Sequence, residues 1–188
     1  ERTAGFQKSI YTRRSHTPLM KGEWAASLKD RIRGNMLHYT RRAFAALAPM
    51  ESPRVLDIGC GSGVPTTELT RLSQGRVVGL DKDAHVLDRL RRRVDQEGLN
   101  GRMGIVRGSL FFLPFKPGSF QILWSEGSVK EIGLDRALGE WRCLLSARGY
   151  LVVHESSSLM TSLDFPEFGY RLIERFDIPG EVWLEWYY

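Results

Sequence analysis

The stretch Arg54–Gly63, Arg-Val-Leu-Asp-Ile-Gly-Cys-Gly-Ser-Gly, constrains the fold more than any other part of the chain. Val55, Leu56 and Ile58 suit a strand covered on both faces. Gly59, Gly61 and Gly63 then allow a sharp bend and a close backbone approach to a ligand. Val64–Leu72 has helical spacing, so the loop delivers the chain to a helix N-terminus, with its unpaired N–H groups and partial positive charge. Strand, glycine turn and helix together predict the nucleotide crevice of an open α/β sheet.

The spacing narrows the choice of nucleotide. A phosphate-binding P-loop ends in Gly-Lys-Ser/Thr, and this loop has no lysine. A dinucleotide loop places its third glycine three residues after the second, where this chain has Val64. Asp57, two residues before the first glycine, would repel a pyrophosphate and suit a ligand with a cationic amino group.

Asp57-Ile58-Gly59-Cys60-Gly61-Ser62-Gly63 resembles the Asp/Glu-x-Gly-x-Gly-x-Gly motif of class I S-adenosylmethionine-dependent methyltransferases. The apolar strand Arg76–Leu80 with Asp81 at its end resembles the family's ribose-binding element. A carboxylate there accepts both ribose hydroxyls, although NAD-binding folds use an acid at the same place. The resemblance covers about Pro53 to Glu155. It implies a three-layer, doubly wound, mostly parallel α/β sheet with an N-terminal helical extension and a C-terminal antiparallel hairpin. It also implies S-adenosylmethionine as cofactor, met by Asp57, Gly59, Cys60, Gly61, Gly63, Asp81, Lys82, Ser109, Leu110, Trp124 and Glu126. The family often has an acid for the adenine amino group where this chain has Ser109, so backbone groups of Ser109 and Leu110 become the candidates.

Composition sets outer bounds. The length suits one domain, divided here into a 1–48 arm and helical cap and a 49–188 cofactor-binding unit. Net charge is +5, a modest excess without a Lys/Arg-rich block, so nucleic acid is a possible but not favoured partner. Cys60 and Cys143 form neither a metal-ligand spacing nor a disulfide framework, and no metal is expected. No apolar run approaches membrane-spanning length and no signal-like apolar region opens the chain, which predicts a cytoplasmic protein without membrane partners.

Along the chain, residues 1–22 read as a polar, basic arm whose Tyr11 could pack over the crevice. An amphipathic stripe runs from Trp24 to Leu47, with Gly34 as the expected break. By analogy with the family's N-terminal cap, Tyr39 and Arg41 are candidates to meet the methionine carboxylate or the substrate. Asp83–Glu97 reads as a helix, Met103–Arg107, Ser119–Trp124 and Gly149–Val153 as strands, and Leu134–Leu145 and Asp164–Phe176 as helices. Glu181–Tyr188 alternates, as one closing strand or an aromatic substrate-facing loop would. The second strand of the hairpin has no candidate, which predicts further C-terminal sequence or a partner over the unfinished edge, a second copy included.

Trp124-Ser125-Glu126-Gly127 lacks the Asn/Asp-Pro-Pro-aromatic and Pro-Cys signatures of base methylation. It resembles the small-molecule branch that includes quinone-biosynthesis enzymes, and so implies a small-molecule acceptor. A bound methyl donor needs chiefly an in-line acceptor in a dry site. Glu126 and His154, at the ends of two strands, are the candidate general bases. An RNA or protein methyltransferase using the arginine clusters, and a binding domain without activity, are the alternative readings.

Overall fold

The structure, a computed structural model, describes residues 22–155 and 164–179. Five strands form one parallel sheet: β1 (Arg54–Ile58), β2 (Arg76–Asp81), β3 (Met103–Arg107), β4 (Phe120–Glu126) and β5 (Leu145–His154). Their order is β3-β2-β1-β4-β5, which reverses direction beside β1, so the crevice opens between the ends of β1 and β4. The register sets Asp57 beside Gly79 on one side and Trp124 on the other. Val55, Leu56 and Ile58 are fully buried, as a strand covered on both faces requires.

Helices α1 (Glu23–Asn35), α2 (Leu37–Ala45), α3 (Val64–Ser73), α4 (Ala84–Gln96) and α5 (Leu134–Trp141) supply the outer layers. One core joins Leu56, Ile58 and Leu123 to Leu138 and Trp141 of α5. On the other face Val55, Ile122 and Trp124 meet Ala43 and Phe44 of α2. A third cluster packs Leu87, Leu90 and Val94 of α4 against Cys60 in the loop. Asp83 caps α4 by accepting the His85 N–H at 2.8 Å.

Several boundaries differ from the sequence reading. The α1–α2 break falls at Met36, not Gly34. Met36 is almost fully buried, and its N–H is shared between the carbonyls of Ile32 and Arg33. Strand β4 runs on to Glu126. Helix α5 ends at Trp141, and after one tight turn β5 begins at Leu145 and absorbs a register shift opposite Phe120 and Ile122. The expected helix over Asp164–Phe176 does not form. Pro166 and Gly169 (φ 75°) break it into a turn followed by chain without regular structure. That chain straddles the edge of the sheet: Phe165, Phe168 and Tyr170 pack on the α5 side, while Phe176 stacks with Tyr39 of α2. Glu181–Tyr188 lies outside the described residues. Among the described residues the outer edge of β5 carries no strand, and no helix is long and apolar enough to cross a membrane.

Gly75 turns the chain into β2 against the backbone of Pro53, whose carbonyl accepts the Arg76 N–H at 3.1 Å. A β-carbon at Gly75 would collide with backbone atoms of Pro53, which cannot rotate away. At Gly104 the same atom would meet only Val78 Cγ2, at 3.5 Å. Gly75→Ala is therefore expected to cost about 1–3 kcal/mol, as overpacking does. Gly104→Ala should stay within about 0.5 kcal/mol, the range of an unstrained surface change. Urea unfolding of both variants checks this, and equal midpoints would refute the packing argument.

Candidate functional site

The loop between β1 and α3 hangs from the end of β2. The N–H groups of Gly59 and Cys60 both donate to the Leu80 carbonyl, at 2.8 and 3.0 Å. Gly61 N–H donates to Asp81 Oδ2 at 2.9 Å, and Asp83 N–H donates to the other oxygen at 2.9 Å. Each carboxylate oxygen keeps a further lone pair for a ligand hydroxyl.

The three glycines answer three different demands. A β-carbon at Gly59 would collide with Ser128, whose hydroxyl donates to the Ile58 carbonyl at 2.8 Å. One at Gly63 would strike Leu90 of α4. At Gly61 (φ 54°) a β-carbon meets nothing within 4 Å. Gly61 is thus the member of the loop that faces open space beside a carboxylate, a cradle a side chain would fill.

Asp57 lies beneath the loop, 2% exposed, and accepts from Thr66 Oγ1 at 2.6 Å. Burial raises its carboxyl to about 7; the Thr66 bond and Arg33 oppose the rise, while Glu126 and Asp81 add to it. Cys60 turns its thiol into the α4 cluster, and burial, with Asp57 and Asp81 nearby, pushes that thiol well above its ordinary value. Only its backbone belongs to the loop.

Glu126 closes the β4 side. Its Oε1 accepts from Thr40 Oγ1 and from Trp124 Nε1, both at 2.8 Å. Its Oε2 faces Arg33 Nη1 at 3.3 Å and His154 Nδ1 at 3.6 Å. Arg33 Nη2 also donates to the Glu126 carbonyl at 2.9 Å. Burial alone would raise the Glu126 carboxyl, but His154, Arg33 and the indole N–H outweigh it and hold the group below the ordinary carboxylate range. Glu126 is an ionised hub with its lone pairs engaged.

Helix α1 lies across the loop. Asp30 accepts from Arg89 Nη2 at 2.7 Å and Arg93 Nη2 at 2.8 Å, and its other oxygen accepts from the Ser62 hydroxyl. The cleft between α1 and the loop is about 170 Å³, lined by Asp30 and Arg33 on one side and by Asp57, Gly59–Ser62 and Glu126 on the other. Asp81 stands outside it, beyond Gly61. A second cavity of about 950 Å³ lies between β5 and the stretch 165–178 and reaches Glu126, Gly127 and His154. It is the larger of the two, but the glycine loop lies outside its lining.

The remaining expectations fall in different places. Lys82 pairs with Glu131 at 2.6 Å in an exposed contact. Ser109 accepts the Phe111 N–H on its own hydroxyl, and the Leu110 carbonyl accepts Trp141 Nε1, so both are engaged in shaping the turn after β3. Trp124 is buried in the sheet face and reaches the site through its bond to Glu126. Tyr39 and Arg41 do not line the loop cavity. Tyr39 stacks on His38 and Phe176, and Arg41 donates to Glu68 of α3 at 2.6 Å. Tyr11 lies outside the described residues. The sequence reading passed over Asp30, Arg33, Thr40, Thr66 and Ser128 as site residues. The available signal was Asp30 and Arg33 sharing one helical face, and Thr66 opening the helix that folds back on Asp57.

A family of sequences described as "Methyltransferase domain" matches residues 55–149, half of the chain. The sterol 24-C-methyltransferase of Aspergillus fumigatus is 30% identical over 106 residues, which are 56% of this chain and 28% of that protein. The demethylmenaquinone methyltransferase of Lactiplantibacillus plantarum is 32% identical over 92 residues, 48% of this chain and 39% of that protein. The matches therefore take in well under half the length of these relatives. A geranyl diphosphate methyltransferase, solved in complex with SAM, superposes with a TM-score of 0.59 at 18% identity, over 73% of this chain and 56% of that one, a likeness of fold. With its glycine loop, Asp81 and β3-β2-β1-β4-β5 sheet in the expected relation, the chain belongs to the methyltransferase domain family, the class I S-adenosylmethionine-dependent group that the loop motif resembles.

Proposed function

We propose that the protein transfers the methyl group of S-adenosylmethionine to a small-molecule acceptor and releases S-adenosylhomocysteine. The observation that carries this reading is the open space at Gly61 beside the Asp81 carboxylate, with two further acids, Asp57 and Glu126, behind the loop. S-Adenosylmethionine, when bound, supplies an electrophilic methyl on a sulfonium centre. Asp81 has lone pairs for two ribose hydroxyls while it holds Gly61 in place. Asp57 and Glu126 provide the negative field that a sulfonium and an ammonium need.

Glu126 fits an orienting role better than that of a base, because its engaged, acidified carboxylate has little proton affinity. His154, 3.6 Å away, is the better candidate to take a proton from a hydroxyl or ammonium acceptor, with Glu126 stabilising the imidazolium. A small acceptor is supported by the named activities of the sterol and menaquinone relatives. Support also comes from the larger cavity, whose lining includes Leu138, Val152 and Ile173 and which reaches Glu126 and His154. The arginine cluster that could have favoured RNA is largely neutralised: Arg89 and Arg93 bind Asp30, Arg91 binds Asp88, and Arg71 binds Glu97. The outer edge of β5, which carries no strand among the described residues, supports association through that edge, a second copy being one occupant. Two free cysteines suit a cytoplasmic setting.

Calorimetric titration with S-adenosylmethionine, S-adenosylhomocysteine and NAD should show binding of the first two alone; NAD binding alone would overturn the reading. Asp81→Ala should weaken S-adenosylhomocysteine by about tenfold or more, since hydrogen bonds to a charged group are worth about 1.5–3 kcal/mol. Unchanged affinity would remove Asp81 from the ribose.

Asp57 yields a pH prediction. Its folded value of about 7 lies above the ordinary 3.8, so the folded chain keeps a proton that the unfolded chain releases across that window. Stability contributed at Asp57 therefore falls as pH rises from about 4 to 7 and levels off above. Asp57→Asn removes the titration while leaving Thr66 an acceptor. The gain in Tm of this variant over the parent should be larger at pH 8 than at pH 4.5, as thermal unfolding at the two pH values will read. A pH-independent difference would show that burial of the charge is not the cost.

A further inference from the structure

The glycine loop is held on its inner side by Leu80 and Asp81 of β2, and on its outer side through Ser62. Ser62 stands between Gly61 (φ 54°) and Gly63 (φ 80°), both in the left-handed region. A glycine-flanked segment has many conformations open to it, and only some of them leave Gly61 facing open space beside Asp81. Whatever fixes Ser62 therefore decides how much of the time the loop is ready for a ligand.

Three bonds close a ring around that residue. The Ser62 hydroxyl donates to Asp30 Oδ1, Arg93 Nη2 donates to Asp30 Oδ2 at 2.8 Å, and Arg93 Nε donates back to the Ser62 carbonyl at 3.2 Å. Arg89 adds a second bond to Asp30 Oδ2 at 2.7 Å. Arg89 and Arg93, one turn apart on α4, share a helical face and so reach Asp30 together. Both oxygens of Asp30 are engaged, so it meets the site through Ser62.

The ring is anchored from behind. From Arg93 the ion pairs run to Glu97 at 3.8 Å, on to Arg71 at 2.6 Å, to Glu68 at 3.5 Å and to Arg41 at 2.6 Å. One series of charges thus joins α1, α4, α3 and α2. Each carboxylate in it is less exposed than the arginines that meet it, which shields these pairs from the screening that weakens surface pairs.

Resting on the cofactor reading above, we propose that Asp30 is a positioning residue of the site: with Arg93 it grips Ser62 and holds the glycine loop in the shape that receives the ligand. A loop in that shape for only a fraction of the time lowers the apparent affinity by that fraction. Release of Ser62 therefore weakens every ligand that uses Gly61 and Asp81, whatever the ligand carries at its other end.

Two probes and a double-mutant cycle test this. S-Adenosylhomocysteine and 5′-methylthioadenosine share the adenosine and the thioether, and the second lacks the amino-acid half. In calorimetric titration well below each variant's unfolding midpoint, Ser62→Ala and Asp30→Ala should each weaken both probes about three- to tenfold, by equal factors for the two probes. Ser62→Thr, which keeps the hydroxyl, should bind both within about twofold of the parent. The double variant should bind like Asp30→Ala alone, because both substitutions break one contact. Asp30→Asn, with one accepting atom where the ring needs two, takes its place if Asp30→Ala fails to fold. A merely stabilising role for Asp30 would lower the midpoint and leave both affinities unmoved, which would overturn the assignment. So would additive losses in the double variant, or a loss for S-adenosylhomocysteine alone, which would mean that Asp30 meets the amino-acid half directly. A parent chain that binds neither probe would sink the cofactor reading itself, whereas a parent that binds both, with variants that match it, would sink this assignment alone.

Discussion

The Leu80 carbonyl and the Asp81 carboxylate hold the rest of the site together. Three successive loop amides, from Gly59, Cys60 and Gly61, end on those two residues of β2. A turn that belongs by sequence to β1 is therefore fixed by its neighbour, and the parallel pairing Ile58–Leu80 is a condition of the loop's shape. This also explains how Asp81 can hold the loop and, in the function proposed here, still receive a ribose with one carboxylate. An amide at that position could still accept the Gly61 bond, but it would lack the lone pairs to receive two hydroxyls as well.

The electrostatics follow from placing three acids at the ends of adjacent strands. Asp57, Asp81 and Glu126 sit on β1, β2 and β4; burial makes ionisation costly at Asp57 and Glu126, and the neighbouring acids add to that cost at Asp57. The chain meets that cost unevenly. Glu126 has enough donors to remain ionised despite burial. Asp57 has a hydroxyl and a more distant guanidinium, and its proton affinity rises instead. The result is a crevice poised to accept positive charge, since a cation beside Asp57 would restore the ionised form. Stability given up at that position is what a binding site for a sulfonium would be expected to show.

What the sequence disclosed follows the range of the forces involved. Strand β3 could be read to the residue, and the glycine loop with Asp81 could be placed, because local backbone demands write themselves into residue type. The stretch 164–176 was misread because Phe168, Leu172, Ile173 and Phe176 repeat at helical intervals for another reason. They belong to a turn and irregular chain at the sheet edge, and Pro166 with Gly169 was the contrary signal. The break between α1 and α2 has a similar origin. That break is set by burial of Met36 in the tertiary structure, not by the glycine two residues earlier.

The two helices therefore divide the work at the cap. Helix α2 buries Thr40 so that its hydroxyl fixes Glu126 from within the protein, and its outer residues go to the edge of the sheet. Helix α1 is tied to the loop and its neighbours through charged groups, Asp30 to α4 and Ser62, and Arg33 to β4. Apolar packing resists small displacements, whereas a charged contact can be replaced by another of the same sign at little cost when the incoming group carries its own charge. A cap joined in this way can admit a zwitterionic ligand and close again without rebuilding the core.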